Sequence, residues 1–302
     1  MSAPHHVLEV DDLTSEEVDR VLELAVAPDR PPLLAGRSVG LYFEKPSLRT
    51  RHSCEVAVVE LGGHPLTFRP DEVGTAEREP LADIARVLSG YHAVVGGRVY
   101  SHLVLEELAA AASIPVINLL SDRAHPCQAL ADLLTMSQEW GELGGRTLCW
   151  VGDYNNVARS LSLAAARTGM AVRIASPPGY GPSELDVERL LSAGMPAPPF
   201  ITTRPVEAAE GADAVHTDVW ASMGHEDEAE VRRRAFEGFT VDEAVMAAAA
   251  SHAVFMHCLP AHRGDEATAG VVDGPQSRVF PQAHNRLHAF RGLLRFLLED
   301  EK

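Results

Sequence analysis

Residues 38–63, SVGLYFEKPSLRTRHSCEVAVVELGG, contain the pattern that decides the fold class of this chain. The segment SVGLYF is an apolar run typical of a buried strand, and HSCEVAVVELGG has apolar positions at helical spacing that end at a pair of glycines. At their junction, FEKPSLRTR places three cations and two hydroxyls at the end of the strand. Because this position borders a ligand crevice in an open α/β sheet, and the first N–H groups of a helix favour an anion, we predict an anion site here.

The length and charge of the chain narrow the classes of function. Its 302 residues exceed what one hydrophobic core usually serves, so we expect two domains. The formal net charge of −17 argues against nucleic acid or an anionic membrane as a partner. An acidic protein that gathers arginines at one strand end is expected to bind a small anion there, the alternative being a solvated face of i,i+4 ion pairs.

Targeting and cysteine patterns indicate the compartment. No apolar run approaches the roughly 20 residues of a membrane span, and the first residues lack the basic and apolar regions of a secretory signal. The four cysteines are scattered, with neither a CxxC pair nor a zinc-site spacing. We therefore expect a reduced, cytoplasmic protein.

Strand and helix patterns alternate along the chain. We predict strands at residues 38–43, 93–99, 114–120, 146–151, 171–175, 214–218 and 253–258. We predict helices at residues 14–25, 48–61, 80–91, 101–112, 126–140, 157–169, 183–193 and 281–298. This alternation is typical of an α/β fold in which mainly parallel sheets are flanked by helices. The segment GELGG divides the pattern, so we predict one domain at 1–140, a second at 146–280, and a C-terminal helix within 281–302 that packs back on the first.

Four loops that follow predicted strands carry polar clusters: PSLRTR, GGRVYSH, SDRAHPCQ and HCLPAHRG. Taken alone each is a weak signal, since GGR is a common turn and a lone histidine such as His125 is more often structural than catalytic. Together, however, they place Arg49, Arg98, His125 and Gln128 at the carboxyl ends of strands in one half of the chain. That edge of a parallel sheet is where ligands bind.

Five segments resemble, in order and spacing, the aspartate/ornithine carbamoyltransferases and most closely their ornithine branch: SLRTR, HPCQALADLLT, GDYNNVARSL, DVWASMG and MHCLPAHRGDE. The resemblance covers residues 41–298. It implies transfer of a carbamoyl group from carbamoyl phosphate to L-ornithine, giving L-citrulline and phosphate, as in arginine biosynthesis. It also implies two α/β domains, a homotrimer or a multiple of trimers, no metal and no organic cofactor.

The resemblance assigns most of the carbamoyl phosphate site to the first half of the chain. The implied residues are Ser47, Leu48, Arg49, Thr50, Arg98, His125, Gln128, Cys258, Leu259 and Arg286. A guanidinium can bind phosphate oxygens bidentately, and donors on the carbamoyl oxygen stabilise the tetrahedral oxyanion. Of these, Arg98, His125, Gln128 and Cys258 are implied to be catalytic. Without the resemblance, Arg286 would be interpreted as a helix-surface cation.

For the amino acid, the resemblance implies Asn156, Asp218, Ser222 and Met223. A carboxylate suits the α-ammonium and an amide suits the α-carboxylate, although alone Asn156 would be a turn residue. Asp218, also implied to be catalytic, and Cys258 lie near the attacking amine in the family. Either they or the departing phosphate take its proton, and the sequence does not separate these routes.

Three departures from the family pattern leave the second substrate open. Leu48 replaces a threonine, Tyr154 stands where glycine is common, and residues 71–78 contain no lysine. The alternatives are a carbamoyltransferase for another amine, such as putrescine, an N-acylated ornithine or a specialised metabolite, or a catalytically weak regulatory paralogue. The SMG run favours ornithine, and the retained phosphate-site residues argue against a weak paralogue.

Overall fold

The computed structural model describes residues 4–73, 79–221 and 228–299. The chain forms two compact units, one of Met1–Ala131 with Arg286–Lys302 and the other of Asp132–Asn285. Each unit has one parallel sheet flanked by helices, which confirms the predicted α/β class. In this described part of the chain, no helix has both the length and the apolar composition that crossing a membrane requires.

The first unit is built on a parallel sheet with the strand order β2-β1-β3-β4. Its strands are β1 (Ser38–Phe43), β2 (His64–Phe68), β3 (Val94–Arg98) and β4 (Val116–Leu120). Phe43, the last residue of β1, pairs with Arg98, the last residue of β3, and Arg98 pairs in turn with Leu120. The strands therefore end together, and the loops that follow them gather at one edge of the sheet.

Helices connect these strands. They are α1 (Ser15–Val26), α2 (Leu48–Glu60), α3 (Pro70–Val73), α4 (Leu81–Tyr91), α5 (His102–Ala111) and α6 (Pro126–Trp140). The capping box expected before α1 is present: the Thr14 hydroxyl accepts from the Glu17 N–H at 3.2 Å, and the Glu17 carboxylate accepts from the Thr14 N–H at 2.8 Å. These two bonds fix where α1 begins.

The second unit has a parallel sheet with the order β7-β6-β5-β8-β9. Its strands are β5 (Thr147–Val151), β6 (Ala171–Ala175), β7 (Phe200–Thr202), β8 (Ala214–Thr217) and β9 (Val254–His257). The remaining helices are α7 (Asn156–Arg167), α8 (Glu184–Ser192), α9 (Pro205–Ala209), α10 (Ala229–Ala235), α11 (Glu243–Ala248), α12 (Ala269–Val272) and α13 (Val279–Glu299). One core of buried residues includes Cys149 and Val151 from one face of β5, Val215 of β8, and the aromatic residues Phe236 and Phe255.

The C-terminal helix α13 packs on the first unit, as predicted. Arg291 is buried and donates to the Glu60 carboxylate at 2.6 Å and to the Ala25 carbonyl at 2.7 Å. Gly292 allows α13 to approach α1 closely, because a Cβ at this position would lie 2.5 Å from the Val21 carbonyl oxygen. A side chain at residue 292 would therefore push the two helices apart.

The sequence did not predict β2, β7 or several short helices. The strand β2 lies at the edge of its sheet and is only partly buried, and β7 is an edge strand of three residues. Short, half-exposed elements lack the periodicity that marks a strand or helix, so their formation depends on tertiary pairing. The ends of the other predicted helices and strands differ from the observed ones by at most two residues.

Candidate functional site

The first unit gathers its polar loops at the carboxyl edge of its sheet. Ser47 is the N-cap residue of α2, directly after β1, and its hydroxyl does not cap the helix in the described structure. A capping hydroxyl would occupy N–H groups of the first turn, so these N–H groups remain for an anion. Leu48 opens α2 with its side chain 69% exposed, and Arg49 beside it is half-buried. The predicted phosphate loop therefore lies at a helix start.

Two guanidinium groups converge on the hydroxyl of Thr50. Nη1 of Arg98 donates to Thr50 Oγ1 at 3.1 Å, and Nη2 of Arg286 donates to the same oxygen at 3.2 Å. Thr50 is buried, and Arg286 is 4% exposed. Residues from β3, α2 and α13 thus form one cationic centre within the first unit, which brings together three of the predicted residues.

Gln128 completes this cationic centre. Its Oε1 accepts from Nη1 of Arg286 at 2.6 Å, and both side chains are buried. In the described part of the chain, the hydrogen bonds of Arg286 go to these neutral oxygens, and no carboxylate forms an ion pair with it. A buried cation that the protein itself does not neutralise attracts an anionic ligand strongly, since the low dielectric strengthens the interaction.

His125, which directly precedes α6, is 4% exposed. Burial lowers its pKa well below 6.5, and the positive charges of Arg286 and Arg98 lower that pKa further. The imidazole is therefore neutral at physiological pH. A neutral imidazole can donate one N–H to a carbonyl oxygen without adding another charge beside the arginines.

In the second unit, the Asp218 carboxylate is held through both of its oxygens. Asp218 follows β8 and is 6% exposed. Oδ2 accepts from the side-chain amide of Asn155 at 2.9 Å, and Oδ1 accepts from the Cys258 thiol at 3.1 Å. The structure thus brings two predicted residues, Asp218 and Cys258, into direct contact.

Asn155 is a site residue that the sequence analysis missed. Its amide oxygen caps α7 by accepting from Val157 N at 2.9 Å and Ala158 N at 3.1 Å, while its amide nitrogen donates to Asp218. The predicted Asn156 is the first residue of α7 and is buried. An asparagine at a strand–turn–helix junction is a helix-cap signal, and that signal would have distinguished the two neighbours.

Cys258 and Leu259 form the loop after β9. Cys258 is half-buried, whereas the other three cysteines are buried. Leu259 has a φ of 58°, and its backbone N–H donates to Nδ1 of His257 at 2.9 Å. Ser222 and Met223, which the sequence also predicts, lie outside the described residues, as does most of the lysine-free segment 71–78.

Two groups in the described part of the chain place three potential metal-ligand atoms within 4.8 Å of one another: Asp218, His257 and Cys258, and separately His262, Asp265 and Glu266. The first group does not fit a cation as it stands. Nδ1 of His257 accepts from Leu259 N, Nε2 faces Glu266, and the Cys258 thiol proton is donated to Asp218. The absence of a metal remains a prediction.

Comparisons with known proteins identify the family of this chain. Residues 5–138 match the family model for the carbamoyl-P binding domain of aspartate/ornithine carbamoyltransferase, and residues 144–297 match that for its Asp/Orn binding domain. An ornithine carbamoyltransferase from Acidothermus cellulolyticus is 50% identical over 97% of this chain and 96% of its own length.

Solved structures give the same result. The ornithine carbamoyltransferase from Pyrococcus furiosus is 42% identical, with a TM-score of 0.93 over 99% of both chains. That from Thermus thermophilus is 43% identical, with a TM-score of 0.88 over 98% of this chain and 100% of its own. With both family domains matched in order, and with arginines and a buried carboxylate at the expected strand ends, the chain belongs to the aspartate/ornithine carbamoyltransferase family.

Proposed function

We propose that this protein transfers the carbamoyl group of carbamoyl phosphate to the δ-amine of L-ornithine, releasing L-citrulline and phosphate. The observation that carries the choice of substrate is Asp218, a buried carboxylate held by two neutral donors. Because the carboxylate has no cation from the described residues, an ammonium group of the substrate is its natural partner. The family comparisons support ornithine over other amines.

The first unit, with the C-terminal helix, is proposed to bind carbamoyl phosphate, and the second to bind ornithine. Arg49, the α2 N-terminus and the centre formed by Arg98 and Arg286 hold the phosphate dianion. His125 and Gln128 lie at this centre, and a donor on the carbamoyl oxygen stabilises the tetrahedral oxyanion by roughly 3–4 kcal/mol. The amine attacks the carbamoyl carbon, and collapse of the intermediate breaks the bond to phosphate.

The attacking amine must first lose a proton. A δ-ammonium titrates near the lysine reference of about 10.4, so the neutral amine costs about 4–5 kcal/mol at pH 7. Asp218 orients the amino acid, and the Cys258 thiol that donates to it fixes the direction of the carboxylate. Leu259, Asn156, Ser222 and Met223 are proposed to complete the substrate contacts, as the family resemblance implies.

A homotrimer in the cytoplasm, acting in arginine biosynthesis, completes the proposal. The outer face of α2 and the edge strand β2 expose Val56, Val59 and Leu66 on the first unit, which suits contact with another copy. All four cysteines are free thiols, as in a reducing compartment. Light scattering on a sizing column would measure the mass, and a monomer at micromolar concentration would refute the trimer.

The deciding experiment is a colorimetric ureido-product assay with ornithine, putrescine and N-acetylornithine under one set of conditions. N-acetylornithine has no free α-ammonium and would leave Asp218 buried and unpaired, so ornithine should be preferred by about 100-fold or more in kcat/KM. Equal or better turnover of an analogue would show that Leu48 and Tyr154 mark a different substrate. Absence of any ureido product would reject carbamoyl transfer itself.

A further inference from the structure

The motif HCLPAHRGDE contains two buried residues that the proposed chemistry does not use. His257, at the end of β9, and Glu266 both have 0% exposure. They flank the loop that carries Cys258 and Leu259. A buried histidine and a buried carboxylate beside a functional loop require a physical reason, because burying such groups is costly unless they are hydrogen-bonded.

The hydrogen bonds of His257 fix its tautomer. The backbone N–H of Leu259 donates to Nδ1 at 2.9 Å, and a backbone amide can only donate, so Nδ1 carries no proton. The ring proton is therefore on Nε2, which donates to Oε1 of Glu266 at 3.1 Å. Nδ1 therefore accepts one hydrogen bond, from Leu259 N, and Nε2 donates one, to Glu266.

The bond to Nδ1 holds a strained residue. Leu259 has a φ of 58°, in the left-handed region that is unfavourable for a residue other than glycine. Pro260 follows it and has no backbone N–H, so the Leu259 N–H is the last donor before the turn. Without an acceptor at Nδ1, this N–H would lose the hydrogen bond that holds it, and Leu259 would relax toward a negative φ.

The bond to Nε2 anchors the other side. Oε1 of Glu266 also accepts from the backbone N–H of His262 at 2.6 Å, and the backbone N–H of His257 donates to the Gln282 amide oxygen at 2.9 Å. Burial would raise the pKa of Glu266, but the hydrogen bonds from His257 and His262 outweigh it and hold that pKa below its usual value. The ionised Glu266 carboxylate therefore accepts hydrogen bonds from His257 at the start of the loop and from His262 at its end.

We propose that His257 is a positioning residue: its Nδ1 holds Leu259 in the left-handed conformation, which aims the Cys258 thiol at Asp218. The inference rests on the proposed carbamoyl transfer, in which these groups meet the substrates. His257 itself touches neither substrate. Its role is to keep the 3.1 Å contact between Cys258 Sγ and Asp218 Oδ1 in place.

Two substitutions separate the two ring nitrogens. In His257→Asn the side-chain oxygen stands at the place of Nδ1 and can accept from Leu259 N. In His257→Gln the terminal amide stands at the place of Nε2 and can donate to Glu266, but the hydrogen bond from Leu259 N to Nδ1 is lost. The pair is matched, because each variant keeps one of the two hydrogen bonds and loses the other.

We expect His257→Gln to lower kcat/KM by about 100-fold, and His257→Asn by less than about tenfold. The KM for ornithine should rise in the glutamine variant, whereas the affinity for inorganic phosphate, held by the first unit, should not change. A merely structural role would lower the active fraction of both variants and leave KM unchanged. An asparagine variant as impaired as the glutamine variant, or an unimpaired glutamine variant, would overturn the inference.

Hydrogen exchange supplies a second readout on the unsubstituted protein. The amide of Leu259 should exchange at least about 100-fold more slowly than in an unstructured peptide, because it is bonded to Nδ1 of a buried ring. Exchange at the unprotected rate would overturn the inference even if neither variant folds. If the unsubstituted protein forms no ureido product, the proposed function is rejected. The exchange rate would still test the tautomer of His257 and the conformation of the loop.

Discussion

Replacing Arg286 by methionine tests the cationic centre most directly. Arg286 is 4% exposed and donates to Gln128 Oε1 at 2.6 Å and to Thr50 Oγ1 at 3.2 Å. Methionine fills a similar volume and removes the charge and the donors. Thr50 keeps its bond from Arg98, so the loss falls mainly on the anion that the centre binds.

The expected magnitude follows from one lost contact. A hydrogen bond to a charged group contributes about 1.5–3 kcal/mol. At about 1.4 kcal/mol per factor of ten, Arg286→Met should weaken phosphate binding by about 10- to 150-fold. Isothermal titration with inorganic phosphate measures this without the hydrolysis that complicates carbamoyl phosphate. The KM for carbamoyl phosphate should rise in parallel. Arg286→Lys keeps the charge but not the planar fork, so its phosphate affinity should lie between those of the unsubstituted protein and Arg286→Met.

The same helix offers a matched control. Arg295 is also a buried cation on α13, but it pairs with Asp29 at 3.2 Å and with Glu299 at 3.1 Å. Arg295→Met should therefore lower the thermal midpoint and leave phosphate affinity unchanged. Unchanged phosphate affinity in a folded Arg286→Met protein would refute the assignment of Arg286 to the site. Equal losses in both variants would point to general destabilisation instead.

Three further outcomes are expected. Gly292→Ala should lower the free energy of unfolding in urea by about 1–3 kcal/mol, because a Cβ there lies 2.5 Å from a backbone oxygen of α1. The control Gly90→Ala adds a Cβ in open space on α4, so it should leave that free energy unchanged or raise it by up to about 1 kcal/mol. Asn155→Asp keeps the oxygen that caps α7 but replaces the donor to Asp218 by a second carboxylate, and the two carboxylates repel each other. The thermal midpoint should therefore fall, and the KM for ornithine should rise by about tenfold or more in the protein that remains folded. An unchanged KM would argue against this contact. Folded His125 stays neutral while the unfolded chain takes up a proton below pH 6.5, so stability falls on acidification through that pH. His125 contributes at most about 1.4 kcal/mol per pH unit to the dependence of the free energy of unfolding on pH. Urea titrations of His125→Gln at several pH values should lack this contribution.

The sequence predicts the buried elements of this fold better than its edges. A mostly apolar segment such as β4, VINLL, can be recognised without its neighbours, because all of its residues are buried. The strand β2 begins with His64 and Pro65 and is half-exposed, so only its pairing with β1 makes it a strand. The local hydrophobic pattern of a sequence indicates which residues are buried, and few residues of an edge strand are buried.

The residues of the candidate site also differ in how well local sequence patterns predict them. The loop residues Arg49, Arg98 and His125 follow predicted strands, so the α/β rule alone places them at one edge. Arg286 could be assigned only through the family resemblance, since nothing local distinguishes it from a surface cation on the same helix. Asn155 was missed because its partner Asp218 lies 63 residues away in sequence. Contacts between distant segments carry the information that local patterns lack.

Within the described residues, each unit contains one buried charge without an ion-pair partner, and this links the fold to the proposed reaction. In the described part of the chain, Arg286 is held by neutral oxygens and Asp218 by neutral donors, so neither buried charge is cancelled by the protein. By contrast, Arg291 on α13 is paired with Glu60 at 2.6 Å, so its charge is compensated within the first unit. An uncancelled cation fits a phosphate dianion and an uncancelled carboxylate fits an ammonium. A substrate that binds the folded state and not the unfolded chain stabilises the folded state, so each substrate should raise the thermal midpoint of the protein.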